Sequence, residues 1–296
     1  MMHRNSHKSL TLFFSVLTFA VLVNGCKKDE EEPIVVSEPN IIFRFAFDAS
    51  QPRLDNLGNP SSMPAGHAAQ TPSFNSISAN YLELTPSAFT ALGMGEVLYN
   101  GPQTSAGGDA AIDFDQARIL SEGQNFVKLP ISDLDPGTYT YARVSLSYQN
   151  FNVDYRASGL DLTGTLASFV GFNNYINSYT ISSETVEVNA NKLQGYWGFE
   201  TFGNVFTGQA PVGATTVVNP IWATSPVPAG SCVVTGEFAS PLVITGNETS
   251  DIIVTLSLST NQSFEWVENT VDGKYEPGIG EQVVDMGIRG MIPSAQ

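Results

Sequence analysis

Histidine and cysteine are almost missing from this chain. Three of 296 residues are His and two are Cys. Two of the histidines, His3 and His7, stand in the first 25 residues, which leaves His67 alone in a Pro/Ala/Gly-rich stretch. A structural zinc cluster takes four Cys or His ligands and a catalytic one takes two or three His, so neither can be assembled. No Gly-x-Ser-x-Gly elbow accompanies His67, which argues against a Ser–His–Asp hydrolase. Met63 and His67 lie four residues apart and could ligate copper or haem, though an exposed loop histidine explains His67 as well.

Basic residues are scarce too, with 13 Lys and Arg against 29 Asp and Glu and a net charge of −16. Nucleic acids and anionic lipids are bound through clustered Lys and Arg, so this balance disfavours both. No stretch keeps a helical apolar period over three turns, and no repeat of 20–50 residues is visible. Only 14% of residues are charged. Ser, Thr, Asn and Gly supply much of the polarity, which suits strands and turns.

The amino terminus is the most informative part. Arg4 and Lys8 precede an uncharged run, LTLFFSVLTFAVLV over residues 10–23. That is the length of a signal-peptide core and is short of the ~20 apolar residues needed to span a bilayer. The run ends in Val23-Asn24-Gly25-Cys26. This resembles the lipobox of bacterial lipoproteins. The resemblance implies cleavage after Gly25, diacylglyceryl on the Cys26 thiol and acylation of the new amino group. Three acyl chains hold a protein stably, whereas one does so only reversibly. Lys27-Lys28-Asp29-Glu30-Glu31-Glu32 resembles the surface-export signal of lipoproteins in the Bacteroidota, and so implies display on the outer membrane. The alternative is the same anchor facing the periplasm, with the acidic run as a solvated tether. The expected organisation is a signal peptide (1–25), a lipidated acidic linker (26–39), and a domain over 40–296 built as one large unit or two closely packed ones. Losing Arg4 and Lys8 takes the formal charge from −16 to −18. With Cys26 lipidated only Cys232 remains. It sits in the alternating stretch SCVVTGEF and is expected to be buried and inert.

From Asn40 onward the pattern predicts β-structure. Strands are expected over 41–47, 81–84, 96–99, 111–115, 126–129, 140–148, 180–181, 185–188, 195–199, 242–244, 252–258, 264–267 and 283–288. Residues 51–76 read as a long loop, and 86–92 as a single helical turn. Leu134-Asp135-Pro136-Gly137-Thr138-Tyr139, just before the alternating strand, resembles the tyrosine corner of Greek-key β-sandwiches. The resemblance implies that the Tyr139 hydroxyl bonds back to nearby backbone. The fold class expected is all-β, a Greek-key sandwich of Ig-like or related type.

Four groups of residues could bear function. Asp272, Glu276 and Glu281 in the stretch 268–281 (ENTVDGKYEPGIGE) resemble a truncated calcium loop; Ile279 stands where a closing acid belongs, and a plain Asp-Gly turn is the competing reading. Tyr175, Tyr179, Tyr196, Trp197 and Trp222 lie among Gly, Asn and Ser, where aromatic faces could stack on sugars. Tyr196, Trp197 and Trp222 are the best of these, although most such residues are core. Residues 201–236 hold no charge and four prolines, and suggest an interaction face. Asp113 with Asp115, and Glu83, Glu200 and Glu237, are candidate acids for glycoside hydrolysis. Together these features favour a non-catalytic surface module that binds an extracellular glycan or protein. A carboxylate-based glycan hydrolase and a purely structural or adhesive domain are the alternatives.

Overall fold

The computed structural model describes residues 38–210, 232–288 and 290–296. Cys26, the acidic run after it and Trp222 lie outside them. The strands are β1 (Asn40–Asp48), β2 (His67–Gln70), β3 (Ser73–Thr85), β4 (Glu96–Asn100), β5 (Gln103–Thr104), β6 (Ala111–Asp113), β7 (Asn125–Pro130), β8 (Gly137–Ala157) and β9 (Leu160–Phe169). They continue with β10 (Asn173–Thr180), β11 (Thr185–Leu193), β12 (Tyr196–Thr201), β13 (Asn204–Gln209), β14 (Cys232–Ile244), β15 (Ile252–Ser259), β16 (Phe264–Val267), β17 (Gln282–Met286) and β18 (Met291–Ala295). Short 3-10 turns interrupt them at Phe114–Gln116, Ile131–Asp133 and Pro277–Ile279. The fold is an all-β sandwich of several packed sheets.

The 21-residue strand β8 organises the molecule. It lies in a seven-stranded sheet, β13-β12-β9-β8-β3-β4, and β14 also pairs with it. Its first half pairs with β14 (Leu146 opposite Cys232) and its second half with β9 (Tyr148 opposite Phe169). On the other side β3 runs along both halves. At Ser147 the register slips. Ser78 of β3 faces Tyr148 while the next residue, Ala79, faces Leu146, so Ser147 is skipped. The Ser147 carbonyl instead accepts the N–H groups of Val170 (3.0 Å) and Gly171 (3.2 Å). An extra residue reverses the side-chain alternation beyond it. Ala142, Val144 and Leu146 therefore share a face with Phe151 and Val153.

That face is covered in two pieces. The antiparallel–parallel sheet β18-β15-β1-β7 packs Ile41, Phe43, Phe45, Val254, Leu256 and Met291 over Ala142–Leu146. The three-stranded sheet β17-β16-β2 packs Phe264, Trp266 and Met286 over Phe151, Val153 and Leu166. On the opposite face β11-β10-β6-β5 places Ile176 and Tyr179, with Phe114, against Tyr148, Phe169 and Tyr196. Residues 142–151 are consequently buried without a break. Glu38–Gln296 form one compact unit.

The two ends of β8 are chemically distinct. At its start lie the first described residues: Asn40 pairs with Pro130, and the Ile131 N–H reaches the Pro39 carbonyl at 2.9 Å. The tyrosine corner is here as well, with the Tyr139 hydroxyl donating to the Asp135 carbonyl at 2.7 Å. Tyr139→Phe should lower stability by about 1 kcal/mol, the net worth of one such bond. A urea melt unchanged from wild type would show the corner to be ornamental. At the far end Arg156 donates its backbone N–H to the Tyr275 carbonyl at 2.7 Å.

Several sequence expectations are corrected. Residues 51–76 contain β2 and the start of β3, which is 13 residues long. Residues 86–92 form turns, because their backbone is held by side chains of β3 and β8 described below. Within 201–236 the described residues hold β13 and the start of β14. Asp113 ends β6 and Asp115 sits in the following 3-10 turn, so the two do not share a strand face. Strands β5, β9 and β18, and most of β10, were not anticipated.

Candidate functional site

An open groove of about 340 Å³ lies at the far end of β8. One wall is the β8–β9 ribbon, with Asp154, Asp161, Leu162 and Thr163; the other is Gly273, Lys274 and Tyr275, and Gln70 of β2 closes it. The polar lining is held in place by its own bonds. Gln70 makes two with the Asp154 backbone, donating to its carbonyl (2.7 Å) and accepting its N–H (2.8 Å). The Thr163 hydroxyl donates to Asp154 Oδ1 at 2.7 Å. Arg156 grips Asp161 with two nitrogens, Nε at 2.7 Å and Nη2 at 3.2 Å, and Lys274 Nζ meets the same carboxylate. The Arg156 bonds, and then Lys274, pull the Asp161 carboxyl down to about 2. Arg156 Nη1 also donates to Asp272 Oδ2 at 2.9 Å.

This network shows where the proposed calcium ligands stand. Asp272 is an ion-pair partner of Arg156, and its other oxygen accepts the Lys274 N–H at 3.0 Å. Glu281 is buried and turned inward. Its Oε1 accepts the N–H groups of Asn269 (3.0 Å) and Thr270 (3.3 Å), and its Oε2 that of Glu276 (2.7 Å). Glu268 accepts the N–H groups of Asp272 (3.2 Å) and Gly273 (2.6 Å). The acids of this segment therefore tie its own backbone into shape. Among the described residues no group of three or more His, Cys, Asp or Glu converges as a metal site.

The aromatic candidates are likewise dispersed. Tyr196 and Trp197 are neighbours on β12 and point to opposite faces. Tyr196 is buried beside Tyr179 and under Lys192, whose Nζ is 4.8 Å from the ring centre. Trp197 is half-buried and packs toward Trp266 and its neighbours. Tyr179 is buried as well. No shared stacking platform results from these residues.

Glu83 and Glu200 are both engaged by partners. Glu83 is fully buried and bonded to Arg143. Glu200 fills a turn, accepting the N–H groups of Ser182 (3.0 Å), Ser183 (3.0 Å) and Glu184 (3.2 Å) and the Ser183 hydroxyl (2.9 Å). Burial raises the Glu200 pKa, but these four bonds outweigh it and hold the carboxyl below its ordinary 4.5. A carboxyl lowered in the folded state stabilises above its unfolded pKa, and that stabilisation fades as pH falls through the folded one. Glu200→Gln should therefore lower stability at neutral pH and lose less than wild type below pH 4.5. Parallel stability–pH curves for the two proteins would contradict this. Glu237 is exposed on β14. His67 meets Glu265, a buried carboxylate also held by Arg53. Cys232 is buried among apolar groups, which push its thiol up to about 12, with Asp285 adding to the shift.

A second groove, of about 480 Å³, opens on the opposite face over Phe114, Tyr148, Asn150 and Tyr179. Its buried Asn150 donates Nδ2 to the Tyr148 hydroxyl (3.2 Å) and the Ile181 carbonyl (2.8 Å). The first groove gathers more charged groups around open space. Sequence reading missed it because Gln70, the Asp154–Asp161 hairpin and Lys274 are far apart in the chain; the single signal was the Asp-Gly turn at 272–273. Comparison with protein-family models, with curated proteins and with solved structures finds no match.

Proposed function

We propose that the chain is a non-catalytic lipoprotein, anchored through Cys26 at the outer membrane surface, that binds an extracellular glycan in the groove beside Asp161 and Lys274. The observation that carries this reading is position. Chain entry at Asn40 and the groove lie at opposite ends of β8. Twenty residues of extended strand measure about 60 Å along the chain. The groove is thus remote from the point at which a tether would join the domain. The lining suits a neutral polyhydroxylated ligand. Asp154, Asp161, Gln70, Thr163 and Lys274 supply donors and acceptors that are already oriented, which reduces the ordering cost of binding. Leu162 and Tyr275 add apolar surface.

The test has two parts. Cys26→Ala should move the protein from the membrane to the soluble fraction, and protease added to intact cells should digest the wild type. Calorimetric titration of the processed protein with neutral oligosaccharides should then show binding. Lys274→Ala or Asp154→Asn should weaken it about tenfold, the cost of one or two charge-assisted bonds. Absence of binding across neutral and amino sugars sinks the glycan reading. Release of reducing ends, abolished by Asp154→Asn, would make the protein a hydrolase.

A further inference from the structure

The β3–β4 connection, residues 86–95, combines two properties that rarely occur together. Its tip is apolar and exposed, with Phe89 at 69% and Met94 at 76%. Its backbone is nonetheless clamped from beneath by a fully buried ion pair. Glu83 Oε1 accepts the N–H groups of Gly93 (3.0 Å) and Gly95 (2.7 Å), while Oε2 accepts Arg143 Nη1 (3.0 Å). Arg143 Nη2 donates to the Ala88 carbonyl at 3.0 Å. Gly95 admits nothing larger, since a Cβ there would sit 2.3 Å from the Leu84 carbonyl oxygen. From Thr85 to Gly95 the sequence TPSAFTALGMG contains no charge.

The loop is at the anchor end of the fold. Thr85 pairs with Tyr141 near the start of β8, and Glu96, just after the loop, lies beside the Tyr139 hydroxyl. That is the end where Pro39 meets Ile131 and the chain enters from its linker. The twelve residues from Cys26 to residue 37 reach at most about 40 Å when fully extended.

We propose that the 86–95 loop is a membrane-contacting wedge that inserts Phe89 and Met94 at the headgroup boundary of the bilayer carrying the Cys26 anchor. This rests on the lipoprotein reading of Cys26. A clamped uncharged loop can enter that boundary without desolvating a charge or ordering itself first, and Phe is among the side chains that bury at that depth. Two side chains fall far short of the ~800 Å² per partner of a stable protein interface, which favours lipid over a protein as occupant. Glu96, Asp133 and Asp135 at this end are acidic, so a zwitterionic surface suits the wedge better than an anionic one.

The test places tryptophan at the tip. Phe89→Trp protein, processed and acylated in cells, is reconstituted into phosphatidylcholine vesicles with or without brominated acyl chains. The parent protein is the blank for its three native tryptophans, and Val271→Trp, in the loop beside the groove, is the distal control. The emission added at position 89 should shift to the blue and lose most of its intensity in brominated vesicles. The emission added at 271 should do neither. Vesicles with added phosphatidylglycerol should give weaker quenching at 89. If the wild type does not float with vesicles, the anchor reading has failed. The 26–296 chain is then coupled through Cys26 to a maleimide lipid, Cys232 being buried, and the measurement is repeated. A water-exposed, unquenched Trp at position 89 in protein that is on the vesicle overturns the wedge in either arm. Blue-shifted emission that brominated lipid leaves untouched overturns it too, and points to a protein contact.

Discussion

Replacing Arg143 with Met should destabilise the protein by about 3–5 kcal/mol, because it strands a buried charge. Both partners of the pair are at 0% exposure. Beyond its bond to Glu83, Arg143 donates Nε to the Thr235 hydroxyl at 3.3 Å and Nη2 to Ala88, so one side chain links β8, β14 and the 86–95 loop. Without it Glu83 keeps the two glycine amides and loses its countercharge. Removing both charges at once, as Glu83→Gln with Arg143→Met, should cost less than Arg143→Met alone, since a matched pair is worth far less than the penalty for breaking it. Urea denaturation reads the difference as a drop in midpoint at unchanged slope. A single-variant loss under 1 kcal/mol would mean that water reaches Glu83.

Phe169→Ala should cost a similar amount, about 3–5 kcal/mol, through a cavity. Phe169 is fully buried on β9. Its ring centre lies 5.0 Å from Phe114, 5.1 Å from Tyr148, 5.0 Å from Tyr179 and 5.6 Å from Tyr196. These four rings come from four separate segments, so no single neighbour can move in to fill the space. Burial also pushes the Tyr148 phenol up to about 12 and that of Tyr179 well above its ordinary value. In the variant both should titrate at lower pH, which ultraviolet difference spectra would follow. Phe169→Leu, which keeps most of the volume, should lose far less.

Much of the fold was legible in the sequence, and the reasons are local. The corner at Tyr139 was readable because Pro136 and Gly137 set a turn and the hydroxyl bond spans four residues. Strands β1, β7, β15 and β16 were readable from dense β-branched and aromatic runs. Strand β9 was not, since LDLTGTLASF carries its bulk at only a few positions and takes its place from β8 and β12. The polar face of β8 misleads most. An alternation such as Arg143, Ser145 and Ser147 normally marks a wet surface. Here all three are fully buried, with Arg143 bonded to the clamped loop through the Ala88 carbonyl. The groove was illegible for a related reason. Asp161 takes its partners from Arg156, five residues away, and from Lys274, 113 residues away, and nothing in a linear sequence assigns the distant one.

The parallel pairing of β1 with β15 has a consequence for how the chain is made. Ile41 lies opposite Ile252, and the partnership runs on to Asp48 and Ser259. The first of the described strands to be synthesised thus waits for one of the last. Until then, among the described strands, β1 has only β7 beside it in its sheet. Pairings of such long sequence separation are slow to form. The sheet β18-β15-β1-β7 can therefore be completed only once nearly the whole chain has been made.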